Sequence, residues 1–152
     1  MKKSAGILLF RKSKLATEFF LVHPGGPFFA KKNEGWWTIP KGELLEEEEP
    51  LSAAIREFEE ETGYRPSGDF IPLQAIQQKG GKTVLCWAAE GDLDADAIKS
   101  NTFEIEWPPR SGKMKSFPEV DHAAWYTLAE AAVMINERQK SFLEELTAII
   151  RA

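Results

Sequence analysis

GELLEEEEPLSAAIREFEEETGY, running from Gly42 to Tyr64, concentrates carboxylates on a single predicted helix. Over Leu51 to Thr62 the residues Leu51, Ala54, Ile55, Phe58 and Thr62 recur at intervals of three and four, one stripe of an amphipathic helix. At about 100° per residue, Glu57, Glu60 and Glu61 fall together on another face, roughly opposite that stripe. Like charges at i, i+3 and i+4 repel by a few tenths of a kcal/mol per pair. A helix needing only solubility would interleave lysines there, so the spacing implies a compensating cation. A hard divalent ion such as Mg²⁺ suits such a set, because it takes oxygen ligands and keeps waters that phosphates can replace. A solvated acidic face is the competing reading of these three residues alone.

The flanks decide between the two. Gly42, Glu48, Arg56, Glu57, Phe58, Glu60, Glu61, Gly63 and Tyr64 match the Nudix box, G-x5-E-x7-R-E-U-x-E-E-x-G-U with U apolar, at every fixed position. The chain therefore resembles the Nudix hydrolases. The resemblance implies hydrolysis of a nucleoside diphosphate linkage by attack of water on phosphorus, with Mg²⁺ (Mn²⁺ as the alternative) as cofactor. It also implies Glu57, Glu60 and Glu61 as metal ligands, joined by a backbone carbonyl near Lys41 or Gly42. Gly42 is expected where the chain turns tightly and approaches the metal. Arg56 is expected to organise the site by bidentate pairing with a box glutamate, Glu48 being either that partner or an outer-sphere metal ligand. The base that takes the proton of water is either Glu57 or Glu60 within the box, or a loop carboxylate outside it. Glu119 resembles that outside position, with Asp121 and Glu104 in reserve. Lys41 is expected to touch a substrate phosphate, and Trp36, Trp37, Phe28 and Phe29 crowd the approach to the box, where an aromatic face could stack a base. Of the adjacent tryptophans, one faces in and the other out.

Length and composition agree with this. At 152 residues one domain, 1–152, is the natural count, and 43% hydrophobic with 28% charged residues is an ordinary globular balance. The net charge of −5 gives no basic footprint for nucleic acid. A polyphosphate would instead be received by local lysines and its own metal ions. Cys86 lies in an apolar run, TVLCWAA, and reads as a small buried hydrophobe in a reducing compartment. The apolar run Ala5 to Phe10 is too short for a signal peptide, no run approaches a membrane span, and a cytoplasmic location is expected. His23 and His122 lack metal-ligand spacing and read as structural or surface groups.

Strands are expected at Ser4–Arg11, Glu18–His23, Trp36–Ile39, Phe70–Gln78, Lys82–Glu90, Thr102–Trp107 and Ala123–Tyr126. The first two are nearly continuous apolar runs, as in strands buried on both faces. Gly80 and Gly81 supply a hairpin turn, and Asp92–Ser100 is an acidic, turn-like link. Pro108–Pro118 reads as an irregular basic loop. Thr127 caps a helix to about Asn136, and Ser141 with Glu144 forms a capping box for a last helix, Phe142–Arg151. The fold class is α+β, an α/β/α sandwich with a mixed sheet flanked by helices, which the family resemblance also implies.

VHPGGPFFA, WWTIPKGE and FPEVDHAAWYTLAEA resemble a bacterial Nudix branch described as NTP pyrophosphohydrolases, and W-x-I-P-K-G-E also resembles the box entry of diadenosine polyphosphate hydrolases. NTPs or dinucleoside polyphosphates are the implied substrates. The alternatives are a house-cleaning hydrolase of oxidised dNTPs and a non-catalytic nucleotide-sensing module. The chain lacks the longer segment of sugar-nucleotide hydrolases that build their site across a dimer. Monomer and homodimer are both compatible with the sequence.

Overall fold

The alternation of β1 (Lys3–Lys12) explains the layering of the molecule, a computed structural model that describes residues 2–151. Successive strand side chains point to opposite faces. Leu8 and Phe10 enter one core with Phe19, Leu21, Cys86 and Leu143, while Ala5, Ile7 and Leu9 enter another with Phe20, Val22 and Phe58. A strand covered on both sides reads as an unbroken apolar run, as Ala5–Phe10 does.

The sheet runs β4 (Ile71–Gln78), β5 (Lys82–Glu90), β1, β2 (Thr17–Pro24), β8 (Val120–Thr127). The β1–β5 pair is parallel and the others are antiparallel, so the sheet is mixed. The free edge of β1 is divided between two partners. Phe10–Lys12 pair with β2, whereas Ser4–Gly6 pair with β3 (Lys41–Glu43). That split opens the sheet beside β3, where α1 (Pro50–Thr62) lies. Helices α2 (Leu128–Met134) and α3 (Lys140–Arg151) cover the opposite face. The expected α+β sandwich is thus the one found.

Several local expectations need correction. Trp36–Ile39 forms no strand; Thr38 bridges Val22 and Trp37 bridges Ile135 singly, because Pro40 has no N–H to extend a ladder. Pro108–Pro118 is not irregular throughout: β7 (Met114–Pro118) pairs antiparallel with β6 (Thr102–Glu106) as a separate hairpin. No capping box forms at Ser141, which lies inside α3. A 3₁₀ turn, Glu137–Gln139, runs directly into that helix and is itself capped by the Asn136 side chain. The Thr127 capping box with Glu130 is present as expected. Among the described residues no helix is long and apolar enough to cross a membrane.

Candidate active site

Helix α1 starts and stops where its sequence directs. The Glu49 carboxylate accepts from Leu51 and Ser52 N–H, Pro50 occupies the first turn, and Gly63 ends the helix in the left-handed conformation (φ 81°). Phe58 and Ala54 anchor it to the sheet with no exposure. Burying one such aromatic side chain contributes about 1.5–3 kcal/mol.

Arg56 has the organising geometry expected of it. Its Nε and Nη2 donate to the two oxygens of Glu48 at 2.8 and 2.9 Å, and Nη1 donates to Glu57 at 2.9 Å and Glu60 at 2.6 Å. Glu48 also accepts from Leu45 N–H, and these contacts hold its carboxyl down to about 2. The bidentate pair fixes the loop before α1 against the helix.

Glu57, Glu61 and Glu119 bring carboxylate oxygens within 4.8 Å of one another. Glu119 precedes β8, so a residue 58 positions beyond Glu61 completes the cluster. Glu61 does not lie opposite the apolar stripe. It follows Ala54 by seven residues, which places it only about 20° from that core residue around the helix, and it is 7% exposed. Burial, then the Glu57 and Glu119 charges, push its carboxyl well above the usual range, with Lys41 opposing. Burial also raises Glu57, against its bond to Arg56, and raises Glu119, assisted by Glu60. Burial lowers the Lys41 ammonium, and Glu61 opposes that shift. Three crowded carboxylates with one half-desolvated lysine form an oxygen-rich set that a hard divalent cation fits. Glu60, expected among the ligands, stands apart from this trio with its carboxylate on Arg56.

Gly42 is a glycine for a reason different from the expected tight turn. It sits in β3, and a Cβ there would collide with the Glu57 carboxylate. The missing side chain is the space Glu57 occupies.

Glu61 and Glu119 of the trio line a cleft of about 290 Å³ together with Lys41, Trp36 and Phe29. Trp36 is exposed and Trp37 buried, so one of the adjacent pair faces out and the other in although no strand forms there. Phe28 does not line this cleft. It packs edge-on against Trp107 at 5.5 Å, and its neighbour Phe29 takes the place beside Trp36. Adjacent loop residues diverge, and only the loop's path decides which ring turns inward. Of the reserve residues, Asp121 is engaged by His23, and Glu104 lies in the β6–β7 hairpin. Sequence reasoning also missed Asn101. Its backbone N–H donates to the Glu60 carbonyl at 2.8 Å, and its carbonyl accepts from Glu119 N–H at 2.9 Å. With its amide nitrogen turned inward, its side chain reaches Glu119 Oε2 at 3.3 Å. Asn101 therefore ties the end of α1 to Glu119, and no motif marks it.

A family model described as NUDIX domain matches residues 1–146. The chain belongs to the Nudix family. It is 30% identical to Nudix hydrolase 7 of Arabidopsis thaliana over 113 residues, 69% of this chain and 38% of that protein. It is also 30% identical to the asymmetrical bis(5'-nucleosyl)-tetraphosphatase of Rattus norvegicus over 100 residues, 58% of this chain and 64% of that one. The matched regions thus span less than two thirds of either curated relative. Among solved structures, a C. elegans Ap4A hydrolase binary complex superposes with a TM-score of 0.71 at 21% identity, covering 97% of this chain and 98% of that one. The Nudix domain of Shewanella oneidensis NrtR in complex with ADP ribose gives 0.67 at 17% identity, covering 97% and 87%. At these identities the structural likeness establishes the Nudix fold.

Proposed function

We propose that this Nudix protein is a Mg²⁺-dependent pyrophosphohydrolase of nucleoside polyphosphates, with dinucleoside polyphosphates ahead of NTPs as the substrate class. The observation that carries the reading is the meeting of Glu57, Glu61 and Glu119 at the end of a cleft with an aromatic wall. The names of the rat and C. elegans relatives support the choice of dinucleoside polyphosphates.

In this reading Glu57, Glu60 and Glu61 would hold the metal, the partly exposed Glu60 carboxylate exchanging its bond to Arg56 for the ion. A divalent ion held there would supply neutralisation of phosphate charge and a lowered pKa for the attacking water. Lys41 pairs with a phosphate oxygen, and the exposed ring of Trp36, backed by Phe29, offers a face on which a base stacks. Glu119 accepts the proton from water as its oxygen attacks phosphorus. The P–O bond to the departing phosphate breaks and the leaving oxygen carries off the charge. Raised basicity suits Glu119 to that task, because a base is most effective when its pKa lies nearer the working pH. Arg56 positions Glu57 and touches no substrate.

The test is product release from a panel of dinucleoside polyphosphates, NTPs and oxidised dNTPs with Mg²⁺ or Mn²⁺. Fastest turnover of a dinucleoside polyphosphate is expected. Tight binding of a panel member with no turnover of any would overturn hydrolysis in favour of a sensing module.

A further inference from the structure

We propose that His23, Asp121 and His122 form a second metal site, for a transition cation of the Zn²⁺ class, separate from the carboxylate trio. His23 and His122 are direct partners in the β2–β8 ladder. The next pair is Pro24 with Val120, so Asp121 is the extra residue of a β-bulge. Bulges re-aim side chains, and this one turns Asp121 toward the two rings. The atoms His23 Nδ1, Asp121 Oδ1 and His122 Nδ1 then converge: the carboxylate oxygen is 2.7 Å from the first ring nitrogen and 3.1 Å from the second.

Hydrogen-bond chemistry indicates what belongs between them. His23 Nε2 lies 2.6 Å from the Lys32 carbonyl oxygen. A carbonyl can only accept, so Nε2 carries the hydrogen, and the neutral ring presents a lone pair at Nδ1. The ionised Asp121 carboxylate is likewise only an acceptor. Lone pairs that face one another across hydrogen-bonding distance require a cation between them, either a proton or a metal ion. Two imidazoles and a carboxylate are a Zn²⁺ donor set, and a ring whose far nitrogen donates to a backbone carbonyl is the usual support for a ligating histidine.

Ligands about 2.0–2.2 Å from one tetrahedral ion stand about 3.3–3.6 Å apart, so the Asp121–His23 gap must open by roughly 0.6–0.9 Å and the Asp121–His122 gap by roughly half that. His23 is held by burial and by Lys32, so the opening falls to the Asp121 and His122 side chains, which are 26% and 75% exposed. An adjoining cleft of about 310 Å³ leaves room for water to complete the coordination. The two sites divide by ligand type: all-oxygen at the trio for a hard ion, nitrogen-rich here for a softer one. A bound ion would join β2 to β8 and, through Lys32, steady the loop that carries Phe29 and Trp36.

The experiment is a Zn²⁺ titration of chelator-treated protein in excess Mg²⁺, followed by calorimetry and by the ¹⁵N resonances of its two histidines. One Zn²⁺ is expected to bind and shift Nδ1 of both rings. His122→Ala and Asp121→Asn should each weaken it about tenfold or more, while Glu57→Gln/Glu61→Gln leaves it unchanged. Circular dichroism verifies that each variant is folded. Unchanged affinity in His122→Ala, loss of the site with the glutamates, or a His23 Nδ1 still protonated at saturating Zn²⁺ would each overturn the proposal. The last of these would identify the cation as a proton.

Discussion

On the α2–α3 face of the sheet, Leu8, Phe10, Leu21, Phe142 and Leu146 close over one another beside a buried but uncharged amide, Gln139, whose oxygen accepts from Ile39 N–H. On the α1 face, Ile7, Leu9, Phe20 and Phe58 build a core of the same kind, but its margin contains a buried glutamate, two partly buried ones and a partly buried lysine. Each charge there is held at a cost to folding, since burial disfavours the ionised form. The comparison teaches that one face supplies stability while the other spends part of its own on a charged cleft. The same strand, β1, serves both, because its side chains alternate.

The experiments that break this contrast most strongly concern activity. Glu57→Gln/Glu61→Gln should reduce hydrolysis to background yet leave the metal-free protein at least as stable as before, because two unfavourable buried charges are gone. A clear fall in the unfolding midpoint without metal would show that the trio supports the fold instead. Glu119→Gln is next: kcat should drop about 10²–10⁴-fold, the range of general base catalysis, with Mg²⁺ binding retained. Near-normal turnover would remove Glu119 from the reaction. On the other face, Phe142→Ala should cost about 3–5 kcal/mol in denaturant unfolding, with kcat per folded molecule unchanged. A matching loss of kcat would dissolve the distinction between the faces.

Acid and base should separate two glutamate populations. Glu57, Glu61 and Glu119 have raised carboxyls, so without metal the folded state holds more protons than the unfolded one above the ordinary 4.5. Stability is then expected to fall as pH rises from there, and saturating Mg²⁺ should flatten the fall. Glu48 runs the other way. Held at about 2 against an ordinary 4.5, it contributes above 4.5 and loses that contribution as pH drops toward 2. Midpoints measured from pH 2 to 8 with and without Mg²⁺ check both signs, and Glu48→Gln should remove the acid arm alone. The smallest effect is expected from Asn101→Ala, roughly a tenfold loss in kcat with an unaltered midpoint, since it steadies Glu119 from the side. An unaltered kcat there would leave Glu119 held by its backbone alone.

Much of this was legible along the chain. The limits of α1 follow from Glu49, Pro50 and Gly63, and the two-sided burial of β1 follows from its unbroken apolar run. These features are local: capping, propensity and periodicity act within a few residues. The box spacing also placed Arg56 beside Glu60, because residues four apart are neighbours on one helix face. What the chain did not disclose depends on contacts between distant segments. Glu61 is buried although it reads as surface, Gly42 is small because Glu57 lies against it, and Phe29 rather than Phe28 faces the cleft. The capping box at Ser141 was a sound local signal overruled by a 3₁₀ turn already leading into the helix.

By itself, then, the sequence determined the layers, the helix and the acidic motif, since each is written in short-range periodicity. The tertiary structure decided which carboxylates meet and what stands beside them. Glu119 and Asn101 reach α1, and Asp121 turns toward His23, only because strands far apart in the chain lie a few ångströms apart in space. Electrostatic coupling falls with distance in space, and spacing along the chain does not report it.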